Sequence, residues 1–183
     1  MKAQHYIESL RKSRTWHRWL GVCLSLLLII SASTGILLAL KKEVSSIQPP
    51  TQKGSSSDLK SWQSMDQLAV IAQEALAAQE ETISTNIDRM DVRPSKGIVK
   101  VLFEEAWWEV QVDGKSGEVL SIAKRHSDWI EALHDGSIIS NGFKLVSMNF
   151  LGFGLLLMIL TGLWLWYGPK QFRKQKNKRK VKN

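Results

Sequence analysis

Two long apolar runs frame a stretch in which polar and apolar positions alternate with short periods. In residues 19–40 the only ionisable side chain is Cys23, and in residues 145–167 it is Tyr167. At a helical rise of about 1.5 Å per residue each run covers roughly 33 Å, enough to cross a hydrocarbon core of about 30 Å. Both are apolar on every side, so they read as two transmembrane helices rather than as core helices of a soluble protein. The first run exceeds the roughly 7–15 apolar residues of a signal-peptide core and is not followed by Ala-x-Ala, which predicts a retained signal anchor.

Between the runs the pattern changes. Residues 41–61 are rich in Ser, Gln, Lys and Pro, with Pro49 and Pro50 adjacent, and read as a flexible linker. Ser64 and Gln67 have the spacing of a capping box. Leu68, Ile71, Ala72, Ala75 and Leu76 then recur at helical intervals on one face. Beyond residue 82 the period is two. A strand at 88–92 puts Met90 and Val92 on one face, a turn follows at 94–97, and a second strand covers 98–103. Glu104, Glu105 and Ala106 reverse the chain. In the next strand Trp108, Val110 and Val112 alternate with Glu109 and Gln111. Asp113 to Gly117 turns again before a last strand at 119–122. Residues 127–133 read as a short amphipathic helix using Trp129, Ile130 and Leu133. The fold class expected is α+β, one helix on a three- or four-stranded antiparallel sheet, placed between two transmembrane α-helices.

Charge adds the orientation. The tails, residues 1–20 and 168–183, carry a net +12, whereas residues 41–144 carry 12 basic and 16 acidic side chains, a net −4. Lys and Arg are retained on the cytoplasmic side, which puts both termini inside and residues 41–144 outside. Trp16, Trp19, Trp164, Trp166 and Tyr167 then share the cytoplasmic interface. The expected divisions are a basic segment at 1–18, a span at 19–40, the linker at 41–61, an extracytoplasmic domain at 62–136, a span at 145–167 and a basic tail at 168–183. Beside a span, the basic tail reads as a topology determinant that meets anionic lipid rather than as a nucleic-acid patch.

The segment Trp107-Trp108-Glu109-Val110-Gln111-Val112-Asp113-Gly114-Lys115-Ser116-Gly117-Glu118-Val119 resembles the signature of a PepSY domain. Its flanks resemble the PepSY-associated transmembrane family. Trp16-His17-Arg18-Trp19-Leu20-Gly21 leads into Ser33-Thr34-Gly35, and Leu133-His134-Asp135-Gly136 leads into Leu160-Thr161-Gly162-Leu163-Trp164. The resemblance implies a bacterial inner-membrane protein with a periplasmic domain. Some larger members are reductases linked to ferric-siderophore uptake and haem, so an accessory subunit in iron uptake or reduction is one reading. PepSY domains elsewhere are inhibitory modules around secreted peptidases, so a regulatory, protein-binding module is the alternative. This chain has two spans and no flavin or nicotinamide motif, which argues against reductase activity on its own.

The four histidines are His5, His17, His126 and His134. The family motifs mark His17 and His134 as candidate ligands of haem b. The two lie about a membrane thickness apart, so neither completes a bis-imidazole site with the other. Each would need the same residue of a second copy, or a partner protein. The other reading makes both interfacial residues that bond head groups or helix ends. If one histidine serves a cofactor, His134 at the domain–membrane junction is the better placed. A homodimer or a larger membrane complex are the partners implied. A single cysteine excludes a disulfide framework and a cysteine-based metal site within one chain. Glu104, Glu105 and Glu109 read as a solvated hairpin rim, and no serine elbow, zincin motif or Walker loop is present.

Overall fold

The computed structural model describes residues 2–79, 82–104 and 107–180. In chain order these form α1 (Lys2–Ala39), α2 (Met65–Gln79), β1 (Ile87–Arg93), β2 (Ile98–Phe103), β3 (Trp108–Asp113), β4 (Val119–Lys124), α3 (His126–Asp135) and α4 (Asn141–Lys180). They fall into two compact units, residues 1–34 with 133–183, and residues 35–132.

The first unit is an antiparallel hairpin of α1 and α4. Its register follows from small residues that let the backbones approach. A Cβ added at Gly154 would lie 2.6 Å from the Leu24 side chain, and one at Gly21 would lie 3.3 Å from Met158. At one end the Tyr6 hydroxyl donates to the Gly168 carbonyl at 2.6 Å, and the Tyr6 ring meets Trp164 edge-on. Only 11 % of the most apolar stretch of α1 and 17 % of that of α4 is buried. Trp16, Leu26, Ile29, Phe153 and Leu160 are all more than half exposed. A core helix of a soluble protein would cover such a surface; two helices of this length that leave it open are membrane spans bathed in lipid. Both helices outrun the spans expected from the apolar runs, because the basic flanks continue the helix: α1 begins at Lys2 and α4 runs to Lys180 through Pro169.

The second unit is built on a sheet in the order β1-β2-β3-β4, antiparallel throughout. Val99 pairs with Val112 and Val101 with Val110 across β2 and β3. One face of the sheet takes α2: Leu68, Ala72 and Leu76 pack with Val99, Val101, Phe103, Val110 and Val112. The capping box forms as the spacing predicts, with the Gln67 amide N–H donating to Ser64 Oγ at 3.3 Å and the Ser64 N–H to Gln67 Oε1 at 3.1 Å. Met90 packs against the core, whereas Val92, on the same face, stays exposed at the edge strand.

The opposite face overturns two expectations. Residues 47–56 are no flexible linker but a strap laid across β2 and β3. The Gln52 N–H donates to Gln111 Oε1 at 2.8 Å, Gln111 Nε2 donates to the Pro50 carbonyl at 3.0 Å, and the Gly54 N–H donates to the Lys96 carbonyl at 2.8 Å. The Ser127 N–H, at the start of α3, donates to the Ile47 carbonyl. The strap buries a row of polar side chains, so Glu109 is not part of a solvated rim: it is 1 % exposed. Lys100 Nζ lies 3.1 Å from Glu109 Oε1 and Arg125 Nη1 lies 3.0 Å from Oε2. Glu104 is exposed as expected, and Glu105 lies outside the described residues. In α3 the buried positions are Ser127, Ile130 and Ala132, whereas Trp129 is 45 % exposed rather than buried with them.

Asp113 ties the strap to the β3–β4 turn. It accepts from the Ser55 N–H at 2.6 Å, the Ser55 hydroxyl at 3.0 Å, and the N–H groups of Lys115 and Ser116. Burial alone would raise its carboxyl pKa, but these four hydrogen bonds outweigh burial and hold it below the ordinary carboxylate range. A depressed folded-state value stabilises the fold above the unfolded pKa of about 3.9, and the contribution is lost as pH falls through the folded value. Asp113→Asn is expected to cost about 1–3 kcal/mol at neutral pH and to flatten the acid limb of stability below about pH 4. Denaturant unfolding across pH checks both.

Candidate functional site

The two singled-out histidines stand at opposite ends of the helical hairpin, each against a threonine of the other long segment. His17, on α1, has Nδ1 2.8 Å from Thr161 Oγ1 on α4. His134, near the end of α3, has Nδ1 2.9 Å from Thr34 Oγ1 on α1. The pairs are not in reach of one another: 17 residues of helix separate His17 from Thr34, roughly 25 Å.

Each threonine decides which ring nitrogen carries hydrogen. A hydroxyl has one proton to give. Thr161 gives it to the Leu157 carbonyl at 2.7 Å, and Thr34 gives its own to the Ile30 carbonyl at 2.7 Å, in each case four residues back on its own helix. The hydroxyl oxygen is then free to accept from imidazole, and the tautomer that fits both contacts carries its hydrogen on Nδ1. A neutral ring then has its lone pair on Nε2, which has no hydrogen-bond partner among the described residues at either position. Both rings are half-buried.

Local sequence explains the mounting. Gly162, next to Thr161, brings α4 close enough that a Cβ there would sit 3.5 Å from His17 Cε1. Gly136 closes α3 with φ of +82°, in the left-handed region, and a Cβ there would meet Phe143 at 2.9 Å and Ser147 Oγ at 3.0 Å. Asp135 accepts from the Ser137 N–H at 2.9 Å and is ion-paired with Lys144 of α4. Burial would raise the Asp135 carboxyl pKa; the hydrogen bonds from Lys144 and Ser137 and the Lys144 charge override this and lower it. The turn that carries His134 is thus fixed on both sides of the ring.

The five interfacial aromatics do share one end of the hairpin, the His17 end. Lys170 Nζ lies 3.6 Å from the centre of the Trp166 ring and Arg18 stacks more loosely, at 6.0 Å, on Trp19. Cys23 is exposed on α1. Among the described residues no three His, Cys, Asp or Glu side chains gather to hold a metal ion. Thr34 and Thr161 are not among the expected site residues, although each sits in a Thr-Gly pair of the motifs that carry the family resemblance.

The family described as the PepSY-associated TM region matches this chain over residues 14–183. The searches of curated proteins and of solved structures gave no match.

Proposed function

The chain belongs to the PepSY-associated transmembrane family, and from that premise we propose that it is an accessory subunit of bacterial iron or siderophore uptake or reduction in the inner membrane, holding haem through His17 and His134. The observation that supports this best is the pair of imidazoles anchored at Nδ1 with Nε2 unpartnered among the described residues. Ligating histidines are held in this way, by a hydrogen bond at the other ring nitrogen that fixes tautomer and ring orientation. Haem, when bound, supplies one-electron redox chemistry.

This chain's residues then have separate tasks. His17 and His134 each offer one Nε2, and Thr161 and Thr34 hold the rings. Gly136 with Asp135 fixes the backbone under His134. One chain presents one imidazole at each end, so a second ligand at either end comes from another copy or from a partner subunit. A homodimer or larger membrane complex is part of the proposal.

The purified full-length protein is expected to show a Soret band, reduced by His17→Ala and by His134→Ala separately. Thr161→Val and Thr34→Val keep the ligand but free the ring, and each should weaken haem retention about 10- to 100-fold. A protein without a Soret band after expression with haem precursor supplied defeats the reading.

The topology we propose has both termini cytoplasmic and residues 41–144 periplasmic, on the strength of the +12 and −4 charge split. Reporter fusions at Lys53 and at the C-terminus are expected in opposite compartments. A periplasmic C-terminus would refute it.

A further inference from the structure

A cavity of about 340 Å³ opens in the sheet-bearing unit beside strap residues 48–51. Six cations line it: Lys41, Lys42, Arg93, Lys96, Lys100 and Arg125. These are half of the twelve basic side chains in residues 41–144, a stretch whose net charge is negative, and no described acidic side chain lines the cavity. We infer that this cavity is a binding site for a phosphate-bearing anion.

The charges converge from separate parts of the chain. Lys41 and Lys42 follow α1, Arg93 ends β1, Lys96 sits in the turn after it, Lys100 is on β2 and Arg125 follows β4. A merely solvated basic face would not need strap, strands and turn to meet. Behind the cavity, Glu109 places one oxygen against Lys100 and the other against Arg125, both nearly buried. Glu131 lies 3.8 Å from Lys41, Asp91 3.8 Å from Arg93, and Asp128 2.9 Å from Arg125. Four carboxylates thus face six cations, and two positive charges remain over, suited to a phosphate group.

The donors suit phosphate better than a carboxylate. Two guanidinium forks and four ammonium groups can serve three or more oxygens, where a carboxylate has two. Gln48 Oε1 is buried with no hydrogen-bond partner among the described residues. Turned over, that amide offers an N–H donor to an anion. The volume is at the lower end of the roughly 300–1,000 Å³ of ligand pockets, room for a phosphate and a small polar substituent.

Two sources share this chemistry. Lys41 and Lys42 come two and three residues after Ala39, the last residue of α1, so the chain holds them within about 11 Å of the span's end. That is the depth of lipid head groups, so the phosphodiester of an anionic phospholipid is one source, and free inorganic phosphate or a phosphomonoester is the other.

The test uses the full-length protein and a triple variant, Lys42→Ala, Arg93→Ala and Lys96→Ala, three exposed residues away from Glu109. Inorganic phosphate binding is measured by calorimetry in detergent. Retention of phosphatidylglycerol over phosphatidylcholine is measured by native mass spectrometry from mixed nanodiscs. The wild type should bind at least one probe, and the triple variant should bind it at least tenfold more weakly with an unchanged circular-dichroism melt. Phosphate binding without lipid enrichment supports a free ligand; lipid enrichment without phosphate binding supports a head group. Failure of both in the wild type, or equal binding by the variant, overturns the inference. None of these readouts involves His17, His134 or haem, so the outcome is separate from the proposed function.

Discussion

Glu109→Ala is expected to cost the sheet-bearing unit about 3–5 kcal/mol, the penalty for stranding buried cations. Among the described residues Lys100, whose side chain is 3 % exposed, loses its one acid, and Arg125, 11 % exposed, is left with Asp128 alone. Gln111 Nε2, which donates to Glu109 Oε1 at 2.8 Å, loses an acceptor as well. Small domains have only about 5–15 kcal/mol in all, so a visible fraction should unfold under mild denaturant. Lys100→Met combined with Glu109→Leu removes both ends of one pair, leaves Arg125 with Asp128, and should recover most of the loss. Urea unfolding of the detergent-solubilised protein, followed by tryptophan fluorescence, measures this. An alanine variant within about 1 kcal/mol of wild type would show that water reaches the pair and that the strap does not seal it.

Gly54→Ala is expected to destabilise the same unit by about 3 kcal/mol and to release the strap. A Cβ at residue 54 would lie 2.1 Å from the Gly97 carbonyl oxygen and 2.8 Å from its carbonyl carbon. Both are backbone atoms, and Gly97 cannot give way. It holds φ of +74°, and its carbonyl accepts from the Gly114 N–H at 2.9 Å. The strap must therefore lift, breaking the Gly54 to Lys96 bond and loosening Ser55 from Asp113. Limited proteolysis should cut at 47–56 in the variant and not in the wild type, alongside a lower melting temperature. Unchanged protection would mean that the strap is held elsewhere.

Much of the fold was legible because its signals are local. Two charge-free runs longer than a bilayer, a capping box before a helical stripe, and Val-x-Val alternation between glycine turns each report on a few neighbouring residues; the short helix and the strands formed where expected, and the two long helices contain the apolar runs but extend beyond them. The strap was not legible. Its Ser, Gln and Pro composition is that of a linker, and what orders it is hydrogen bonding to Gln111, Asp113 and Lys96, some 40–60 residues away. With the strap unseen, Glu109 could only look like the outward half of an alternating strand. The histidines were legible as rare residues at the ends of apolar runs. Their partners were not, because a threonine in an apolar helix is already satisfied by the carbonyl four residues back.

The sequence by itself determined the elements, the two membrane spans and the family, since hydrophobic period and motif order depend on short stretches of chain. Only the tertiary structure decided which hydroxyl meets which imidazole, that a polar sheet face is sealed, and that six cations surround one cavity. Those features depend on the register of α1 against α4 and on a strap crossing two strands. Both are set by close approaches at Gly154, Gly54 and Gly97, where the absence of a side chain has no meaning until a distant backbone is placed against it.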